Sequence, residues 1–135
     1  MKRLSFVIDT NILIEIEKNN KAILSKLEKL DLAKDDLYIT SPTYSEFYFG
    51  IMGGNKENLK EENERLDRYK LLNTTKNSSR LLAEIKRYVS KLGIMIPTFD
   101  LFIASIVIDS GMPLVTLDKH FKRVSNLNVI LLEKF

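Results

Sequence analysis

The sequence predicts an α/β fold in which a central, mainly parallel sheet is covered by helices on both faces. Short apolar runs of strand length alternate with stretches of helical periodicity along the 135 residues. The first such run, FVI, is apolar at every position, as is typical of a strand buried on both faces. Strands separated by helices require crossover connections, and these make neighbouring strands parallel. At this length we expect one domain, over residues 1–135.

The first strand is predicted at residues 4–8. Helical spacing of apolar residues follows over residues 12–30, with a break between two helices at Asn19-Asn20. A second strand is predicted at Leu37–Thr40, where the chain is again apolar and rich in strand-forming residues.

The helix after the second strand carries the segment YSEFYFGIM. We predict Ser41 as its N-cap and Pro42 at the first helical position, where the missing N–H of proline costs nothing. Its apolar residues fall on two sides, with Phe49 and Met52 on the second. One helix rarely buries two faces in so small a domain, so a dimer surface or a groove for a partner helix is a second interpretation beside the core.

The second half of the chain continues the alternation. Residues 55–71 are mostly charged and predict a solvated helix with a thin buried stripe, and residues 71–72 predict a short edge strand. Ser78 or Ser79 is the predicted cap of the next helix. The segment FDLFIASIVIDSG is apolar nearly all round and predicts a central helix, followed by a strand at PLVTL, a helical turn at DKHFKRV and a last strand at NVILL.

Four acidic residues are predicted to meet at one edge of this sheet. Ligand sites of open parallel sheets lie beyond the carboxyl ends of the strands. Asp9 ends the first strand and Asp118 ends PLVTL, so both belong to that edge. Glu46 lies in the first two turns of a helix that begins there, and Asp100 lies in the opening turn of the central helix.

Each acid alone has a simpler explanation as a helix cap, a solvated residue or a partner of a helix dipole. Together, four carboxylates in one partly buried pocket repel one another, and without compensation some of them would be protonated. A hard divalent cation with oxygen ligands, Mg²⁺ or Mn²⁺, supplies that compensation. Such an ion can polarise a phosphodiester and make hydroxide from water.

Composition excludes several other kinds of site. The chain has no cysteine and one histidine, which excludes a disulfide framework and a thiolate metal site and disfavours the usual zinc sites. No apolar run is long enough for a signal-peptide core or a membrane span, so we expect a cytoplasmic protein with no membrane partner. The net charge of +3 permits a polyanionic partner but is a weak signal by itself.

Four short segments together resemble the acidic motifs of PIN-domain ribonucleases. They are FVIDTN, TYSEF, FDLFIAS and LVTLDKHF, and their order and spacing are similar to those of the family. The length of the chain is similar to that of VapC-type toxins of prokaryotic toxin-antitoxin pairs. The resemblance implies a three-layer α/β/α domain over nearly the whole chain, with Mg²⁺- or Mn²⁺-dependent cleavage of RNA that leaves a 5′-phosphate and a 3′-hydroxyl.

The resemblance also implies roles for individual residues. The catalytic, metal-binding acids would be Asp9, Glu46, Asp100 and Asp118. The flanking polar residues, which could orient the acids or a water molecule, are Thr10, Asn11 and Thr116. VapC-type proteins commonly form homodimers and are inhibited by a cognate antitoxin, a segment of which lies along the groove of the toxin.

A basic cluster directly follows the last acid and consists of Lys119, His120, Lys122 and Arg123. A solvated turn is the default explanation of such a cluster. Beside an acidic pocket, these cations could instead contact the RNA phosphates that the carboxylates repel. His120 could also pack beside Phe121, and we assign it no catalytic role.

Two other classes of α/β protein with acids at the sheet edge lack their required residues here. A phosphoacceptor receiver domain needs an acidic pair after its first strand, and a haloacid-dehalogenase-like phosphatase needs a second aspartate two residues after its nucleophile. In this chain Thr10 and Asn11 follow Asp9. Two alternatives stay open, namely a free-standing PIN-domain nuclease of RNA processing and a non-catalytic PIN module that binds RNA or protein.

Overall fold

The computed structural model of the chain describes residues 5–31 and 37–133. The strands are β1 (Phe6–Ile8), β2 (Leu37–Thr40), β3 (Lys70–Leu72), β4 (Leu114–Thr116) and β5 (Val129–Leu131). The α-helices are α1 (Thr10–Glu17), α2 (Lys21–Lys29), α3 (Ser41–Met52), α4 (Leu59–Leu66), α5 (Lys76–Lys91) and α6 (Thr98–Ser110). Two short 3-10 turns are present at Lys56–Asn58 and Lys119–Arg123. The predicted α/β class is confirmed.

The strands form one five-stranded sheet in the order β3-β2-β1-β4-β5, and every neighbouring pair is parallel. The first strand is central, since Val7 pairs with Tyr38 of β2 and with Leu114 of β4. The strand predicted at residues 71–72 is β3, at one edge of the sheet. Residue 4 of the predicted first strand lies outside the described residues.

Two hydrophobic clusters cover the two faces of the sheet. Phe6 and Ile8 pack in one cluster with side chains from α1 to α4, whereas Val7 packs in the other with side chains from α5 and α6. This division follows from the two-residue period of a strand, which points alternate side chains to opposite faces. The chain therefore has the three-layer α/β/α architecture that the family resemblance implied.

The predicted N-terminus of α3 is wrong by one residue. The N-cap is Thr40 and not Ser41, because Thr40 has an extended backbone and its hydroxyl accepts the N–H of Thr43 at 3.3 Å. Pro42 is therefore the second helical residue. Threonine and serine are both favoured N-cap residues, so the sequence does not distinguish Thr40 from Ser41. The end of the buried strand β2 determines which of them is the cap.

The predicted caps of α5 are also wrong. The cap is Thr75, whose hydroxyl accepts the N–H of Ser78 at 2.9 Å, while the hydroxyl of Ser78 accepts the N–H of Thr75 at 2.7 Å. This reciprocal pair is a capping box and places Ser78 and Ser79 inside the first turn.

The charged segment at residues 55–71 is not one helix. Asn55 caps a 3-10 turn by accepting the N–H of Glu57 at 3.0 Å, and α4 begins only after that turn. Leu66 is the buried residue of α4, so the predicted thin stripe is present but short. The early start of β3 limits the helix at its other end.

The segment FDLFIASIVIDSG lies almost entirely in α6 (Thr98–Ser110), and residues 101 and 103–107 of this helix are buried, as expected of a central helix. The helix ends at Gly111, whose φ of 75° is in the left-handed region that glycine adopts without strain. Within residues 5–31 and 37–133, every helix is too short or too polar to cross a lipid bilayer.

Candidate functional site

The topology brings the four predicted acids to the carboxyl edge of the sheet. Asp9 directly follows β1 and Asp118 lies just beyond β4, and these two strands are parallel neighbours. Asp100 lies in the first turn of α6, and Glu46 lies in the second turn of α3. All four acids line the same groove. Their burial differs, because Asp9 is buried, Asp100 and Asp118 are partly exposed and Glu46 is exposed.

Asp9 has two functions that sequence reasoning treated as alternatives. One carboxylate oxygen, Oδ1, accepts the backbone N–H of Thr10 at 2.8 Å and so caps α1. The other, Oδ2, accepts the hydroxyl of Thr116 at 2.7 Å. The carboxylate is therefore fixed at both oxygens while it faces the groove.

The environment of Asp9 disfavours its charge. Burial raises the pKa of Asp9 from 3.8 to about 6, although the hydrogen bonds from Thr116 and Thr10 act in the opposite direction. Electrostatic repulsion from Asp100 and Asp118 makes a smaller contribution to the same rise, and the value of about 6 includes it. A cation that offsets this burial and repulsion would stabilise the ionised form, as expected of a pocket that binds metal.

The raised pKa predicts a pH dependence of stability for the metal-free protein. Because the folded-state pKa exceeds the unfolded value of 3.8, the folded state retains a proton that the unfolded chain has lost. The free energy of unfolding therefore falls by a total of about 3 kcal/mol as pH rises from about 4 to about 6. Above that range this contribution is constant. Asparagine does not titrate, so Asp9→Asn lacks this loss of stability. Its free energy of unfolding should therefore rise by about 3 kcal/mol relative to that of the wild type between pH 4 and pH 6.

Chemical denaturation of both proteins between pH 4 and pH 7, with a chelator present, measures this difference. Asp109→Asn is the control, because hydrogen bonds from Asn77 and Thr75 lower the pKa of Asp109 below 3.8, so this carboxyl is ionised in both the folded and the unfolded chain at higher pH and the stability of the variant relative to the wild type should be nearly independent of pH over this range. A stability difference between wild type and Asp9→Asn that is independent of pH would contradict the pKa of Asp9.

Thr116 connects two of the acids. Its hydroxyl donates to Asp9 Oδ2 at 2.7 Å and accepts the backbone N–H of Asp118 at 3.0 Å. Thr116 itself is completely buried, so this hydroxyl has a fixed position. It therefore ties the carboxylate of Asp9, at the end of β1, to the backbone of Asp118, just beyond the neighbouring strand β4.

If the acids bind a divalent cation, Thr116→Val should weaken its binding, measured with Mn²⁺, by about 10- to 100-fold, a typical loss when a group that orients a metal ligand is removed. Valine keeps the volume of threonine but removes the hydroxyl. Thr116→Ser keeps the hydroxyl and should bind Mn²⁺ nearly as well as the wild type. Isothermal titration calorimetry on the three proteins measures the effect, and equal affinities for valine and threonine would disprove the orienting role.

The other two flanking polar residues contact neighbours of the acids. The hydroxyl of Thr10 donates to the hydroxyl of Thr43 at 3.0 Å, which joins the first turns of α1 and α3. The amide oxygen of Asn11 accepts the backbone N–H of Leu117 at 3.3 Å, which joins α1 to the end of β4. Both side chains also line the groove.

His120 lies between two of the acids, which sequence reasoning did not anticipate. Its Nε2 is 3.0 Å from Oδ2 of Asp100, and its Nδ1 is 3.0 Å from Oδ1 of Asp118. The predicted packing on Phe121 is also present, with ring centroids 5.4 Å apart. The sequence shows that His120 lies two residues after Asp118. The short distance between His120 and Asp100 depends on how α6 packs, which the sequence pattern does not show.

The rest of the basic cluster is exposed at this edge. Lys119, Lys122 and Arg123 belong to the 3-10 turn that Asp118 caps through the N–H of His120, at 3.2 Å. Lys119 also lines a second cavity beside Asp118. The turn therefore places cations next to the acids, where they are accessible to a bound polyanion.

The acids open into a groove of about 610 Å³ between α1 and α3. Asn11, Ile14 and Lys18 line it at intervals of one helical turn, and Gly50 and Gly54 do so on the other side. Sequence reasoning missed these glycines as part of a site. A Cβ at Gly50 would meet nothing within 4 Å, so the residue borders open space.

Residues of α1 and α4 border the groove away from the sheet. The Nε of Arg65 donates to Oε1 of Glu17 at 2.9 Å, and the hydroxyl of Tyr69 is 3.1 Å from Oε2 of Glu17. Burial, followed by the charge of Glu17, raises the pKa of Tyr69, so the tyrosine remains a hydrogen-bond donor. This network ties α4 to α1.

The groove is mainly acidic. Its acidic residues are Asp9, Glu17, Glu46, Glu62, Asp100 and Asp118, and its basic residues are Lys18 and Arg65. Ligand atoms of Asp100, Asp118 and His120 lie within 4.8 Å of one another, as the ligands of one ion do. A donor set dominated by carboxylate oxygens suits a hard divalent cation.

A family model described as "PIN domain" matches residues 6–127 of the chain. The search of curated protein sequences found no match to this chain.

Several solved structures have a similar fold. A chain of VapBC2 from Rickettsia felis, bound to a DNA fragment from its promoter, has a TM-score of 0.82 and 27% identity over 96% of this chain and 100% of that one. A chain of VapBC-1 from nontypeable Haemophilus influenzae has a TM-score of 0.80 and 24% identity, over 95% and 98% of the two chains. A chain of DNA-bound VapBC from Salmonella typhimurium has a TM-score of 0.80 and 20% identity, over 95% of this chain and 98% of that one.

Proposed function

This chain belongs to the PIN domain family, and from that premise we propose that it is a Mg²⁺- or Mn²⁺-dependent endoribonuclease and the cytoplasmic toxin of a VapBC-type toxin-antitoxin pair. We propose that it acts as a single domain over residues 1–135. The observation that carries the nuclease proposal is the convergence of Asp9, Asp100 and Asp118, with the pKa of buried Asp9 raised to about 6. A divalent cation would offset the burial and the repulsion that disfavour the charge of Asp9.

The acids proposed to hold the cation are Asp9, Glu46, Asp100 and Asp118. A bound Mg²⁺ or Mn²⁺ polarises a phosphodiester and makes hydroxide available from water. Thr116 fixes the relative positions of Asp9 and Asp118, and Asp9 is held by Thr10 as well. The chain thereby preorganises the carboxylates before RNA arrives, which is the contribution of a protein to this kind of catalysis.

Cations at the edge of the pocket are proposed to hold the RNA backbone. Lys119, Lys122 and Arg123 are exposed next to Asp118. Their attraction for phosphates offsets the repulsion that the acidic groove exerts on RNA. The proposed reaction is in-line hydrolysis, in which water attacks phosphorus opposite the departing 3′ oxygen and leaves a 5′-phosphate.

The toxin proposal is supported by the similarity to a chain of the VapBC2 complex from Rickettsia felis and by the charge of the groove. Six acidic and two basic side chains line the groove, so a partner segment with basic residues would be complementary to it. We therefore propose a cognate antitoxin as the protein partner.

Expression of the chain in a cell that lacks its partner tests this role. We expect growth arrest, which co-expression of a small neighbouring open reading frame relieves, and copurification of the two products. Arrest without any such neighbour would favour the free-standing nuclease. Absence of arrest together with absence of RNA cleavage in vitro would favour the non-catalytic module.

A homodimer is also proposed, because α3 leaves large apolar side chains in solvent. Phe49 is 76% exposed and Met52 is 58% exposed, as expected of a surface that a second subunit covers. Sedimentation velocity on the purified chain tests this proposal, and a monomer at all concentrations would contradict it.

A further inference from the structure

The exposed face of α5 carries a stripe of cations. They recur at spacings that place neighbours on one face of a helix, with a small residue in the middle. The members of this α5 stripe are Lys76, Arg80, Ala83, Arg87 and Lys91, and all five are exposed. A helix rises about 1.5 Å per residue, so the stripe extends over about 22 Å.

The charge of α5 is almost entirely of one sign. The helix has five basic residues and one acidic residue, Glu84, which gives it a net charge of +4, whereas the whole chain has +3. The rest of the chain therefore has a net charge of −1. A solvated helix face normally mixes both signs, as α4 does, where three glutamates lie between Lys60 and Arg65. Among the described residues, no acid forms an ion pair with any of the five cations of α5.

An open depression of about 510 Å³ lies beside the stripe. Three cations line it, namely Lys86, Arg87 and Lys91, together with Ala83 and Ser90. The two small side chains leave space between the long ones, so a polyanion can approach the helix there. Arginine and lysine are the side chains that bind phosphate oxygens, arginine often through two parallel hydrogen bonds.

The stripe runs toward the end of α6 that carries a predicted catalytic acid. The side chains of Thr75 and Asn77, at the start of α5, both donate to Asp109 at 2.7 Å. Asp109 lies in the last turn of α6, so the two helices pack antiparallel. Lys91, at the end of α5, is therefore directed toward the first turn of α6, where Asp100 lies.

The composition of the stripe favours a nucleic acid over a protein as its partner. No large apolar side chain belongs to the stripe, whereas the centre of a protein–protein interface is normally apolar and poor in charge. Interfaces with nucleic acids are more polar and much more positively charged. We propose that the α5 stripe binds the phosphate backbone of the RNA substrate outside the acidic pocket. This inference rests on the proposed function, since it concerns the RNA that the pocket cleaves.

Removal of two cations from the stripe tests this surface through the salt dependence of RNA binding. Each phosphate contact contributes about 0.7 to the slope of log affinity against log salt for a single strand. Arg80→Gln combined with Arg87→Gln should therefore reduce this slope by about 1.4. If affinities converge at about 1 M salt, the pair loses about 25-fold in affinity at about 0.1 M. Fluorescence anisotropy of a labelled single-stranded RNA measures both, in an Asp100→Asn background that prevents cleavage.

Lys21→Gln combined with Lys29→Gln is the matched control. These lysines are exposed on α2, whose Ile23 and Leu27 pack on the other face of the sheet. The control should keep the slope of the unsubstituted α2. An equal reduction in both pairs would indicate a general effect of net charge and overturn the inference. An unchanged slope in the α5 pair would also overturn it, and loss of the copurifying partner protein in that pair would then assign the stripe to an acidic protein segment.

RNA length separates the stripe from the pocket. With the catalytic acids intact, the α5 pair should raise KM for a long single-stranded RNA by a factor similar to its loss of affinity and leave kcat nearly unchanged. A tetranucleotide is too short to occupy both surfaces, so the pair should cleave it like the wild type. Equal effects on both substrates would overturn the inference. A wild-type chain that cleaves neither RNA, while the α5 pair still reduces the salt slope, would contradict the proposed nuclease and support the stripe as an RNA-binding surface.

Discussion

Asp100→Asn is expected to lower the rate of RNA cleavage at least about a hundred-fold, because stabilisation of the reaction by a bound metal amounts to several kcal/mol. Asparagine keeps the shape of aspartate but removes the charge. It also removes one of the repulsions that raise the pKa of Asp9. The folded state should therefore be as stable as the wild type, or more stable, in the absence of metal.

Asp109→Asn is the matched control, since it makes the same substitution on the same helix. Asp109 lies in the last turn of α6 and accepts hydrogen bonds from Thr75 and Asn77, both at 2.7 Å. Its variant should cleave RNA at nearly the wild-type rate. Rates measured on a labelled single-stranded RNA with Mn²⁺ decide the matter, and wild-type activity in Asp100→Asn would remove Asp100 from the site.

Phe121→Ala is expected to destabilise the chain by about 3 to 5 kcal/mol, the usual cost of a cavity left by a buried phenylalanine. Phe121 is 1% exposed and packs in the same hydrophobic cluster as Val7, Leu101 and Leu114. The same side chain anchors the turn that carries His120. We therefore also expect weaker Mn²⁺ binding in the fraction that stays folded.

The same substitution at an exposed phenylalanine provides the comparison. Phe49 is 76% exposed on α3, and at a protein concentration at which the chain is monomeric Phe49→Ala should change the free energy of unfolding by less than about 0.5 kcal/mol. Urea denaturation of both variants at neutral pH measures the two costs. Similar costs at the two positions would contradict the assignment of Phe121 to the core.

Much of the fold follows from short-range patterns in the sequence. The continuous apolar run at Phe6–Ile8 predicted a strand covered on both faces, and Val7 indeed packs on the opposite side from Phe6 and Ile8. The family was also recognisable, because four short acidic motifs occur in the same order and spacing as in PIN domains. These patterns are local in the sequence, so they can be recognised without any knowledge of tertiary contacts.

The errors arise where several residues satisfy the same local rule. Thr40 and Ser41 are both good N-caps, and the buried strand β2 decides for Thr40. Thr75 and Ser78 are likewise both hydroxyl residues, and their reciprocal hydrogen bonds decide for Thr75. N-cap preferences of single residue types do not take account of a preceding strand or of a hydrogen-bond partner three residues away.

The site was only partly predictable for a related reason. Asp9 and Asp118 could be placed because both follow strands, and the ends of parallel strands share an edge. The place of His120 between Asp100 and Asp118 depends on how α6 packs, which no sequence period reports. The groove beside Gly50 likewise depends on the approach of two helices.

The ends of the RNA product test the central claim most directly. Purified wild-type chain, incubated with single-stranded RNA and Mn²⁺, should yield fragments with a 5′-phosphate and a 3′-hydroxyl, and chelation of the metal should stop cleavage. Those ends require hydrolysis by water rather than attack by the ribose 2′-hydroxyl. Intact RNA in the presence of Mn²⁺, or fragments with 2′,3′-cyclic phosphates that form equally well in a chelator, would contradict a metal-dependent ribonuclease.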